Sequence, residues 1–101
     1  MVKGKTKSGI KFTLDERIKD DARFLYYLTK AQDDSIEFEE KSRAIMSILK
    51  LIFGTDEGVI TFMDAVASVN EGVCDVKIML SELTEMFEAL DAKNLSSSPQ
   101  S

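Results

Sequence analysis

The sequence predicts an all-α fold, a compact bundle of about four helices preceded by a short extended N-terminal segment. Three observations carry this expectation. Apolar residues recur at three- and four-residue steps, as in Val59, Phe62, Met63, Val66 and Val69. Stop and start signals fall between such stripes, above all at Gly54-Thr55-Asp56-Glu57 and Asn70-Glu71-Gly72. The chain has 101 residues, 44% hydrophobic and 31% charged, which suits one folded domain and is too apolar for a disordered chain. The expected organisation is a flexible basic arm over residues 1–9, a single helical domain over 10–93 and a disordered Ser-rich tail over 94–101.

Within the domain, Ile10, Phe12 and Leu14 alternate with Lys11 and Thr13, a period-two signal for a short strand. With no second strand evident nearby, it must pair with another chain, pair with the arm before it, or lie extended on the helices. The first helix is expected to start between Asp15 and Asp21, where acidic residues suit the positive end of the helix dipole, and to run to about Gln32. Its run Phe24-Leu25-Tyr26-Tyr27-Leu28 points apolar groups in every direction, so this helix is either sandwiched within the fold or covered by another subunit.

Asp34 and Glu37 stand at capping-box spacing ahead of a second helix, about Ile36 to Phe53. From Ala44 to Phe53 only Ser47 and Lys50 are polar, which marks this helix as the most buried element, and Gly54 ends it. Thr55 is the expected N-cap of the third helix. The fourth opens near Cys74 or Asp75 and continues to about Lys93. Val76, Met79, Leu80, Leu83, Met86, Phe87 and Leu90 form its apolar face, and Glu82, Glu85 and Glu88 its solvated one.

Little in the sequence points to catalysis. There is no His, which removes the commonest general base and metal ligand together. The single Cys74 excludes an internal disulfide, and without a His beside it reads as a small buried or boundary residue. The acidic pairs Asp20-Asp21, Asp33-Asp34, Glu39-Glu40 and Asp56-Glu57 sit at helix starts or on exposed faces, where capping and solvation explain them. The five glycines have no phosphate-loop spacing. No enzyme activity, cofactor or metal is therefore expected.

The net charge of −5 is uneven. Lys3, Lys5, Lys7 and Lys11 hold four positive charges, whereas the other ninety residues carry nine basic against eighteen acidic groups. An acidic body argues against nucleic-acid binding, and no apolar run reaches the roughly 18 residues that span a bilayer. The lysines at the start have no apolar segment behind them, so no signal peptide is expected and a cytoplasmic location follows. Apolar surface in excess of what a thin domain can cover points to a protein partner.

The layout resembles the tail assembly chaperones of phages infecting Gram-positive bacteria. The likeness lies in Lys7-Ser8-Gly9-Ile10-Lys11-Phe12-Thr13-Leu14-Asp15, in Phe53-Gly54-Thr55-Asp56-Glu57 after a hydrophobic helix, in the turn at Gly72-Val73, and in the last helix from Leu80 to Leu90. It covers about residues 7 to 91. The resemblance implies a homo-oligomerising chaperone that binds the tape measure protein, recruits tail tube subunits and is absent from the mature virion. It implies no catalytic residues. Met79, Leu83, Met86, Phe87 and Leu90 of the last helix are the expected partner contacts. A frameshifted longer form is a further implication, because Ala92-Lys93-Asn94 is compatible with a slippery A-AAA-AAC codon run, which the gene sequence would reveal. The alternatives are a structural phage connector or virion protein, and a small helical regulator that binds nucleic acid through the lysine arm.

Overall fold

The computed structural model describes residues 1–97, with side chains as far as Asp91. Four α-helices make up most of these residues, and a two-stranded antiparallel hairpin precedes them, so the fold is mostly helical but not strictly all-α. The chain divides into two units: residues 15–59, and residues 1–14 together with residue 60 onward.

The 15–59 unit opens with a 3₁₀ turn, Glu16–Asp20, followed by α1, Ala22–Ala31. An Asp-x-Arg device starts each. Asp15 accepts from the Arg17 N–H at 3.0 Å and Asp21 from the Arg23 N–H at 2.9 Å, while each arginine folds back onto its carboxylate at 2.7 Å. Short-range capping of this kind satisfies donors that a helix start leaves open.

Helix α2, Phe38–Phe53, packs against α1 and begins two residues later than the sequence suggested. The expected capping box does not form. Asp33 turns the chain instead, accepting from the Ser35 N–H and hydroxyl, and Asp34 pairs with Lys41 at 2.8 Å. Helix α2 is one-sided and is not buried all round: Ala44, Ile48 and Leu49 are buried, while Met46 is exposed. Gly54 ends it at φ +80°, donating its N–H to the Lys50 carbonyl at 2.8 Å. Only Gly takes this conformation without strain. Helix α3, Asp56–Ser68, starts one residue after Thr55, whose hydroxyl accepts from the Gly58 N–H at 3.0 Å as an N-cap should.

In the other unit, residues 1–9 are not a flexible arm. Val2–Lys5 forms strand β1 and pairs with β2, Lys11–Leu14, in the register Val2↔Leu14, Lys3↔Thr13, Gly4↔Phe12 and Lys5↔Lys11. Of the three options left open for the strand, the structure takes pairing with the segment before it. The turn is tight. Thr6 donates to the Ile10 carbonyl, Gly9 donates to the Thr6 carbonyl, and Gly9 sits at φ +96°. A three-residue loop with Gly in the left-handed position is a common hairpin connection.

Pairing sorts the side chains onto two faces. Val2, Phe12 and Leu14 are buried together with Thr6 and Ile10 of the turn, and the Phe12 ring lies over Gly4. Lys3, Lys5, Lys11 and Thr13 stand on the outer face, all exposed. Helix α4, Val76–Ser97, packs on β1, and its N-cap Asp75 accepts from the Lys77 and Ile78 N–H groups. The helix continues past residue 94, where a tail was expected to begin. The rest of that tail, 98–101, lies outside the described residues.

Candidate partner-binding surfaces

The contact residues expected on α4 are mostly interior ones. Met79, Leu83, Met86 and Leu90 are buried, and Phe87 is half-buried. Their spacing of four, three and four residues is the stripe by which a helix packs on its own fold. This corrects the expectation, because the same hydropathy pattern serves a core and a partner site. Glu82 corrects another. It belongs to the buried stripe, at 5% exposure, not to a solvated face. Its Oε2 accepts from the Ser8 hydroxyl at 3.1 Å, its Oε1 is buried without a hydrogen-bond partner among the described residues, and the neighbouring Glu85 accepts from the Lys7 N–H. The helix thus holds the hairpin by its turn.

Apolar side chains left outside lie elsewhere. In the 15–59 unit the five-residue run of α1 divides: Phe24 is buried, Tyr27 and Leu28 are half-buried, and Leu25 and Tyr26 remain 62% and 60% exposed. With Ala22, Thr29, Lys30 and Asp33 they line a shallow groove of about 360 Å³ along one side of α1. The Tyr26 ring is held in place. Tyr27 meets it edge-on with centroids 5.3 Å apart, and the Lys30 ammonium sits 5.5 Å from its centre while pairing with Glu40 at 2.9 Å. An aromatic ring fixed before binding loses little conformational freedom when a partner covers it. In the other unit, Val73, Val76 and Leu80 are exposed around the start of α4.

The titratable groups serve structure. Hydrogen bonds from Arg17 and Arg23 hold the Asp15 and Asp21 carboxyls well below the usual carboxylate range, Asp21 at about 2. Because these folded-state values are depressed, whatever stability Asp21 contributes is present above about pH 4 and fades as pH falls toward about 2. Burial, then the charges of Asp64 and Asp75, push the Cys74 thiol up, which disfavours the nucleophilic thiolate.

Among the described residues no cluster of three or more His, Cys, Asp or Glu side chains is arranged to hold a metal, and no helix is long and apolar enough to cross a membrane. Comparison with protein-family models, with curated proteins and with solved structures finds no match.

Proposed function

We infer that this chain is a protein-binding module without an active site, acting as a chaperone that captures a helical client through the outer side of α1. The observation that carries this reading is the exposure of Leu25 and Tyr26 side by side on a helix whose Phe24 is buried and whose Tyr27 and Leu28 are half-buried. Exposed apolar side chains lining a shallow groove beside a helix suit an amphipathic client helix laid into it. Tyr is also among the residues most often found at the energetic centre of interfaces.

The resemblance over residues 7–91 supplies the client. On that reading it is the tape measure protein of a phage tail, with tail tube subunits recruited to the same complex. The work is done in the cytoplasm of the bacterial host by a self-associating chaperone that leaves before the virion is complete.

Affinity purification of the tagged chain from producing cells, followed by mass spectrometry, is the test. A long helical protein recovered with tail tube subunits is the expected result, and the pair Leu25→Asp and Tyr26→Asp is expected to lose it while circular dichroism stays unchanged. Capture that survives both substitutions places the client surface elsewhere. Presence of the chain in finished particles replaces the chaperone reading with a virion component.

A further inference from the structure

We propose that the outer edge of β1 is a strand-addition site for an extended acidic segment of a partner polypeptide. The backbone supplies the first argument. Thr6 donates to the Ile10 carbonyl, so the alternation of an antiparallel ladder turns the N–H and C=O groups of Val2 and Gly4 toward β2 and those of Lys3 and Lys5 away from it. By that alternation the backbone groups of Lys3 and Lys5 take no part in the ladder. Two consecutive outward positions of an edge strand, both on exposed residues, are a template for one more strand.

Charge selects the occupant. Lys3 and Lys5 project from the same exposed face, Lys11 stands opposite Lys5, and none of the three has an ion-pair partner among the described residues. A strand paired with β1 places two of its residues directly opposite Lys3 and Lys5, where carboxylates attract and ammonium groups repel. A second copy docking edge to edge brings lysine against lysine and is disfavoured. The residue between the two carboxylates falls opposite Gly4 and points to the other face of the sheet, the apolar one on which Val2 and Phe12 lie. The segment recognised is therefore acidic–apolar–acidic in extended form. A polyanion such as RNA finds no arginine and no exposed ring on this face, and the rest of the chain repels it. This inference stands apart from the α1 groove.

The test uses the full chain and two labelled peptides of one composition, with Glu and Val either alternating or segregated into blocks. The alternating peptide is expected to bind saturably by fluorescence anisotropy and to slow hydrogen exchange at the Lys3 and Lys5 amides. The double variant K3E/K5E should weaken that binding roughly tenfold or more and gain binding to an alternating Lys–Val peptide, a gain that an unfolded protein would not show. L25D/Y26D should leave peptide binding unchanged. Absence of saturable binding, equal binding of the blocked isomer, unaltered exchange at Lys3 and Lys5, tighter lysine-dependent binding of an oligouridylate, or a dimer formed through the same lysines each overturns the proposal.

Discussion

Glu82 places a carboxyl group inside the protein with one oxygen hydrogen-bonded to Ser8 and the other to nothing among the described residues. Such a group costs free energy to bury, and the Ser8 hydroxyl is what offsets part of that cost. Ser8→Ala is expected to lower stability by about 1–3 kcal/mol, although Ser8 itself is exposed and its hydroxyl is small. In the Ser8→Ala background, Glu82→Gln is expected to recover part of the loss, since a neutral amide is cheaper to bury than a carboxylate. Urea unfolding of the two variants and the double variant measures both effects, and a silent Ser8→Ala would mean that the bond contributes nothing net. The burial of Glu82 was not legible in the sequence. Glu82, Glu85 and Glu88 follow the spacing of a solvated face, and the turn that covers the first of them comes from 74 residues away.

At the scale of elements, helices were far more legible than strands. Thr55 and Asp75 cap α3 and α4 as their residue types suggest, and Gly54 closes α2, because caps are decided within a few residues. Strand β2 showed itself through Ile10, Phe12 and Leu14. Strand β1 did not, for a physical reason: its inward positions are Val2 and Gly4, only one of which has an apolar side chain. Phe12 fills the room that Gly4 leaves, so the hydropathy of β1 is carried on β2. A Cβ at position 4 would lie 2.7 Å from the Phe12 ring. Gly4→Ala is therefore expected to destabilise by about 1–3 kcal/mol through forced displacement of that ring. Adding Phe12→Leu should cost less in the Gly4→Ala background than alone, a coupling that a double-mutant cycle by chemical denaturation would read. Additive effects would mean that ring and glycine do not compete for the same space.

For the molecule as a whole, stability and binding are assigned to different residues. Met86 and Leu90 are fully buried, and truncating either to Ala is expected to cost about 2–5 kcal/mol. Leu25→Ala, at an exposed position, should change stability by no more than about 0.5 kcal/mol. Thermal unfolding of the three variants separates the classes, and a large loss for Leu25→Ala would show that α1 is covered within the folded chain. The apolar pattern of α4 and that of α1 look alike on paper. Which side of each helix the rest of the chain covers is decided by long-range packing, and hydropathy alone does not contain it.

The grip of α4 on the hairpin turn also bears on the order in which a growing chain acquires its structure. Strands β1 and β2 are neighbours in sequence, yet the groups that hold their turn, Glu82 and Glu85, are made 74 and 78 residues later. Two strands alone are marginally stable in water. Residues 15–59, by contrast, are continuous in sequence and have all their parts once Val59 has been made. The hairpin is therefore made well before the helix that grips its turn. Any shortened product that stops before Glu82 carries the lysine-rich edge without the two carboxylates that hold its turn.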